Sequence, residues 1–120
     1  MSPLEIIQKL YQEDGIRNSN LLNELFSDDF VLEWDNSKGK VIMSKEDVLR
    51  LANELKQNYH FSKVKVIDSI ISENKIVVRY THEVATIENP KEIFSIAKVI
   101  VIWQYNDDKI TAGYQISSPG

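Results

Sequence analysis

The chain has 120 residues, with 14 Lys and Arg against 18 Asp and Glu, and no cysteine. That length holds one domain, residues 1–120, and excludes two domains each with a full core. A formal charge of −4 argues against a nucleic acid partner, which needs clustered cations to displace counterions, and the lack of cysteine excludes disulfides, a thiolate nucleophile and cysteine-type zinc sites.

Ser2-Pro3-Leu4-Glu5 is a capping box with proline at the first helical position. Leu4, Ile7, Leu10 and Tyr11 then share a helical face, and Gly15 supplies a stop. Asn18 or Ser19 caps a short second helix carrying Leu21, Leu22, Leu25 and Phe26. Phe30–Asp35 alternates as a half-buried strand, 36–40 turns, and Lys40–Met43 can pair back. Ser44, with Asp47 three residues on, opens a third helix whose stripe is Val48, Leu51, Ala52, Leu55 and Tyr59. After His60 the sequence turns β-branched, with strands expected at 63–72, 75–87, 92–105 and 109–117. Glu73-Asn74, Glu88-Asn89-Pro90 and Asn106-Asp107-Asp108 are the turns between them. Short turns imply an antiparallel meander, and helices followed by strands imply an α+β fold. No apolar run is long enough to cross a bilayer and no basic, apolar leader opens the chain, so a cytoplasmic protein without membrane contact is expected.

Alternation assigns the faces. Ile76, Val78, Tyr80, His82 and Val84 form one set and are expected to face the helices; Val77, Arg79, Thr81, Glu83 and Ala85 face away. Phe30, Leu32 and Trp34 point inward, and Glu33 and Asp35 outward unless a bulge intervenes. Val99, Val101, Trp103 and Tyr105 alternate with Ile100, Ile102 and Gln104. The last strand leaves two choices, Ile110, Ala112, Tyr114 and Ile116 against Thr111, Gly113, Gln115 and Ser117, with Gly113 marking a bend.

Trp34, Tyr80 and His82 are therefore expected to converge on one cavity. His82 titrates in the range that suits acid–base work, unless it is simply hydrogen-bonded within the sheet. Trp34, Trp103, Tyr80, Tyr114, Tyr59 and Phe61 supply aromatic surface for a flat apolar ligand, or core packing. Asp68 is a further acid whose register the pattern leaves open. Asp28-Asp29 and Asp107-Asp108 have no histidine or ligand spacing beside them and read as turn chemistry, so no metal site is expected. Ile100 and Ile102, beside Val77 and Ala85, form an outer apolar face that predicts a homodimer, sheet against sheet, rimmed by Arg79, Glu83 and Gln104.

The element order, carried locally by Leu25-Phe26-Ser27-Asp28-Asp29-Phe30, Ser44-Lys45-Glu46-Asp47-Val48 and Asp107-Asp108-Lys109-Ile110, resembles the nuclear-transport-factor-2-like superfamily and its SnoaL-like and ketosteroid-isomerase-like branches. The resemblance implies an α+β cone: three N-terminal helices packed in a strongly curved, mixed but mainly antiparallel sheet of the cystatin-like kind, with a pocket at the mouth and frequent homodimers. It implies no single activity. The isomerase branch carries a carboxylate base near the end of the 30–35 strand, where Trp34 falls, or Asp35 with a one-residue shift. That branch's buried acid on the penultimate strand corresponds to Val101, and its helix-one tyrosine to Leu10 or, with a shift, Tyr11. SnoaL-like cyclases tend to end the last strand with an acid, where this chain has Gln115-Ile116-Ser117. The candidate site is thus His82, Tyr80 and Asp35 for chemistry, with Trp34, Tyr11, Val101, Trp103 and Tyr59 around a small apolar or aromatic ligand. The expected function is a pocket protein performing cofactor-free isomerisation, cyclisation, dehydration or hydrolysis. The alternative is a non-catalytic ligand-binding or dimerisation module on the same fold.

Overall fold

A computed structural model describes residues 1–120. Helix α1 (Pro3–Ile7) starts where the Ser2 hydroxyl accepts the Glu5 amide at 3.2 Å and runs on into a π-helical turn, Gln8–Gln12. A 3₁₀ turn, Gly15–Arg17, leads to α2 (Ser19–Leu25), capped by the Asn18 side chain on the Leu21 amide. Strands β1 (Phe26–Asn36) and β2 (Gly39–Ser44) form a hairpin. Helix α3 (Lys45–Asn58) opens with the reciprocal Ser44–Asp47 capping box. A meander of β3 (Tyr59–Ser72), β4 (Lys75–Thr86), β5 (Phe94–Asn106) and β6 (Lys109–Pro119) completes the chain.

The six strands form one open sheet in the order β2-β1-β6-β5-β4-β3. Only β1 and β6 run parallel; the other neighbours are antiparallel. This topology explains the role of α3. It joins β2, one edge, to β3, the other, so it crosses a whole face of the sheet. Five strand spacings of about 4.8 Å make a flat width of about 24 Å, and the 14 residues of α3 rise about 21 Å. A curved sheet brings its edges within that reach, and α3 lies across the concave side against β1, β2 and β3. The result is the α+β arrangement read from the element order, in the cone form the resemblance implied.

Two backbone devices set the hairpins. Asp107 and Asp108 both take left-handed φ (47° and 66°), the two-residue turn whose twist suits adjoining strands. Glu73 does the same at the β3–β4 turn (φ 51°). The acidic pair thus serves the turn, as its composition indicated.

The inward faces follow the alternation. Ile76, Val78, Tyr80, His82 and Val84 are all buried, as are Phe30, Leu32, Val99, Val101 and Trp103. Bulges account for the departures. Helix α2 ends at Leu25, so Phe26 belongs to β1 instead of the helix, and β1 shifts register against β6 between Phe26 and Val31. That shift lets Phe26 and Phe30 both point inward, their rings stacked 4.2 Å apart. Ala85, expected to face outward, is buried; it lies where both neighbouring strands bulge, β5 opposite His82 and Glu83 and β3 between Tyr59 and Phe61. In β6 a shift opposite Gln104 and Tyr105 changes the parity. Ile110 is inward, and beyond the shift Gly113, Gln115 and Ser117 pair with the inward Trp103, Val101 and Val99.

Candidate active or binding site

Along each strand the inward residues change character. Ile76 and Val78 give way to Tyr80 and His82 on β4, Phe30 to Trp34 on β1, and Ile110 to Gln115 and Ser117 on β6. At this end the helices stand away from the sheet and leave a cavity of about 180 Å³. Val48, Leu51, Ala52 and Leu55 of α3 form its lid, so the helical stripe read from the sequence covers a cavity where a packed core might have been. Sixteen of the nineteen lining residues are hydrophobic, and no carboxylate, lysine or arginine is among them.

The polar groups of the wall are largely paired with one another. Trp34 donates its indole N–H to the Ser117 hydroxyl at 2.7 Å. Trp103 donates to the Tyr11 hydroxyl, also at 2.7 Å, and this bond is buried. The π-helical turn carries Tyr11 into that position, its ring centroid 5.1 Å from that of Tyr80. Gly113 is required opposite: a Cβ there would sit 2.7 Å from the Trp103 ring and 3.0 Å from Leu32 Cδ1. His82 Nε2 lies 2.7 Å from the hydroxyl oxygen of Ser62 on β3.

Burial holds the His82 imidazole below its ordinary pKa; the Arg17 guanidinium pushes the same way, and Asp14 opposes them. The ring is therefore neutral at pH 7, since an unperturbed histidine is already mostly neutral there. Burial alone raises the Tyr80 phenol far out of the physiological range, so it stays a donor, and its hydroxyl has no protein partner. Tyr11 is raised as well, first by burial and then by its Tyr80 neighbour, against the Trp103 bond. The cavity thus offers neutral donors and acceptors in an apolar shell.

The structure brings together Trp34, Tyr80, His82, Tyr11 and Trp103 from the sequence-derived set. Three candidates lie elsewhere. Asp35 is on the outer face of β1, where Tyr114 donates to its carboxylate at 2.8 Å; no bulge turns it inward, because β1 stays in regular register with β2 from Val31 to Asn36. Val101 is fully buried in the wall but does not reach the cavity. Tyr59 begins β3, half-buried, its carbonyl accepting from Arg17 at 2.9 Å, and lies outside the lining. Asp68 is also outward, bonded twice to Arg79. The sequence reading missed Ser62, Gln115 and Ser117. Starting β3 at 63 excluded Ser62, although it lies on the same inward alternation as Val64, the residue facing His82. Gln115 and Ser117 were one of two open choices until the β6 register fixed them.

No family model matches the sequence, and neither does any curated protein. Solved structures match over most of the chain. IdmH, a putative polyketide cyclase from Streptomyces antibioticus, is 16% identical with a TM-score of 0.75, over 98% of this chain and 92% of that one. A putative SnoaL-like polyketide cyclase from a Jannaschia species is 12% identical with a TM-score of 0.72, over 96% and 84%. A hypothetical protein with a ketosteroid isomerase-like fold from Catenulispora acidiphila, solved in complex with trimethylamine, is 14% identical with a TM-score of 0.64, over 82% and 73%. The chain therefore has the nuclear-transport-factor-2-like fold in the form shared by SnoaL-like and ketosteroid-isomerase-like proteins, a cone with a pocket. No helix is long and apolar enough to cross a membrane.

Proposed function

We propose that this is a small-molecule pocket protein that takes an uncharged, mainly apolar or aromatic ligand, with His82 and Tyr80 as the polar groups that act on it. The carrying observation is a neutral imidazole and a free phenol in a cavity without a charged side chain. A charged ligand would lose its hydration there with no counter-ion in return. In the catalytic form of the reading, His82 takes a proton from the substrate and returns it at another atom, while Tyr80 donates to the oxygen on which charge develops. Such chemistry includes isomerisation, cyclisation, dehydration and hydrolysis, without a cofactor. The putative cyclases of the same fold support this reading.

The absence of a carboxylate from the lining favours the second reading, a non-catalytic binder, in which His82 and Tyr80 only orient the ligand. Fluorescence titration with the neutral probe N-phenyl-1-naphthylamine tests both forms. Saturable binding that a Leu51→Arg lid variant abolishes is expected, and no binding to the wild type would remove the pocket function. Candidate polyketide-like carbonyl compounds that displace the probe are then followed by mass spectrometry. Conversion that His82→Ala abolishes supports catalysis, and displacement without conversion supports the binder.

The outer face belongs to the same proposal. Ile100, Ile102 and Ile116 are exposed at 47%, 36% and 49%, next to one another across β5 and β6. An isologous homodimer, sheet against sheet, would bury this patch in an interface of about 1,600 Å² in total. Light scattering at micromolar concentration is expected to give the dimer mass, and Ile100→Glu the monomer mass; a monomeric wild type would end this part of the proposal.

A further inference from the structure

His82 has two sides. Its ring lines the cavity, yet Nε2 is engaged by Ser62, which does not. Ser62 instead borders a separate hollow on the outside of the molecule, together with Tyr11, Gln12, Asp14, Lys63 and Val64. The serine hydroxyl is thus the link between an interior imidazole and an exterior surface, and it makes no second hydrogen bond to the protein.

A neutral imidazole carries its proton on one nitrogen only, and the partner of the other nitrogen decides which. A hydroxyl can donate or accept, so its surroundings choose its direction. Asp14 borders the same hollow. Its carboxylate is anchored by Arg17 through Nε at 3.0 Å and Nη2 at 2.7 Å, and Arg17 gives Nη1 to the Tyr59 carbonyl. Asp14 borders the hollow and Arg17 does not, so the ion pair turns its negative end towards Ser62, draws the hydroxyl hydrogen outward and turns an oxygen lone pair towards His82. We infer that Ser62 is a positioning residue: it accepts the Nε2–H of His82 and thereby leaves the Nδ1 lone pair free for a ligand in the cavity.

This makes His82 a proton acceptor towards its ligand from the outset. The carboxylate missing from the pocket is replaced by a hydroxyl behind the ring, with Asp14 further out. The inference rests on the reading of His82 as the ligand's polar partner, but its test needs no ligand and fails separately from that reading.

The test is the tautomer itself, read from two-bond ¹H–¹⁵N correlations of the labelled full chain at a pH where the ring is neutral. His82 is told apart from His60, the other histidine, by its loss in His82→Gln. The wild type is expected to show a protonated-type Nε2 and an unprotonated-type Nδ1. Ser62→Ala removes one hydrogen bond and is expected to shift the tautomer ratio towards Nδ1–H by about fivefold. Ser62→Thr, which keeps the hydroxyl, should restore the wild-type ratio. Asp14→Asn, which keeps a residue tolerant of the left-handed φ of 57° found there, should move it partway in the direction of Ser62→Ala. A wild-type spectrum with the proton mainly on Nδ1 overturns the inference even if every variant fails to fold. An unchanged ratio in a folded Ser62→Ala overturns it too.

Discussion

The two ends of the concave face are built by the same strands and do different things. At the narrow end, Ile6, Leu25, Phe30, Ile76, Val78 and Ile110 are buried at 2% exposure or less and leave no room between sheet and helix. At the wide end, Tyr80, His82, Trp34 and Ser117 continue the same inward alternation, but α3 stands off and a cavity remains. The difference is not one of exposure, since Tyr80 and His82 are only 7% and 6% exposed. It lies in what each end does with polarity. The narrow end excludes it, whereas the wide end admits neutral polar groups and pairs most of them: Trp34 with Ser117, Trp103 with Tyr11, His82 with Ser62. A core needs shape alone; a pocket needs polar groups that survive burial without a ligand.

If this division is real, cutting into the narrow end should cost most. Phe30 stacks on Phe26 and lies 6.1 Å from the Trp103 ring centroid. Phe30→Ala is expected to lower the free energy of unfolding by about 3–5 kcal/mol, measured by urea denaturation, because a dense core collapses little around a lost ring. An effect below about 1 kcal/mol would mean that this end is also hollow.

The boundary between the ends runs through Gly113, where a Cβ would strike Trp103 and Leu32. Gly113→Ala is expected to cost about 1–3 kcal/mol by forcing the indole aside. It should also weaken N-phenyl-1-naphthylamine binding, since Trp103 lines the cavity and is held there by Tyr11. A loss of stability with unchanged binding would place Trp103 wholly in the core.

Legibility differed between the ends for the same reason. Narrow-end residues announce themselves by period: Ile76 and Val78 could face only inward, and Ser44 and Asp47 could hardly do anything but cap α3. Tyr80 and His82 were legible as well, because they continue an apolar series. Trp34, Trp103 and, through the resemblance, Tyr11 were named as well, but the polar pairings around them were not legible, because each depends on a bulge or on another chain segment. Gln115 and Ser117 face the cavity only because β6 shifts register near Tyr105. Tyr11 reaches Trp103 from a π-helical turn that a regular helical wheel does not contain. Asp35 was misleading because the resemblance asked for an acid near Trp34, whereas the period of two sends the neighbour of an inward residue outward. The fold was therefore readable from patterns within segments, and the site only in part, since its polar pairs join residues 83 and 92 positions apart.

Titration offers a finer contrast. The folded His82 has a lowered pKa, the unfolded one about 6.5. Between those values the unfolded chain binds more protons, so stability falls as pH drops through about 6.5 and levels off below the folded value. Above about 6.5 the contribution of neutral His82 is fully present. Urea midpoints of the wild type and His82→Gln, compared between about pH 7.5 and about pH 5.5, should show a steeper acid-side loss for the wild type. Parallel curves would mean that the ring is solvated in the folded state and that the wide end is open.

The smallest expected change in stability is also the sharpest test of the division. The Tyr80 ring packs 5.1 Å from Tyr11 and lines the cavity, while its hydroxyl makes no hydrogen bond to the protein. Tyr80→Phe keeps the ring and removes only the hydroxyl. Stability should move by no more than about 0.5 kcal/mol, because no internal hydrogen bond is lost and a buried polar group disappears. Binding should divide by ligand chemistry. A purely apolar ligand such as naphthalene loses nothing, whereas 2-naphthol, of nearly the same shape, loses the hydrogen bond, about 1 kcal/mol or roughly fivefold in Kd. Competition against N-phenyl-1-naphthylamine measures both. Equal losses for the two ligands would show that the variant had altered the shape of the wall. No loss for either would remove Tyr80 from the polar set and leave His82 to act alone.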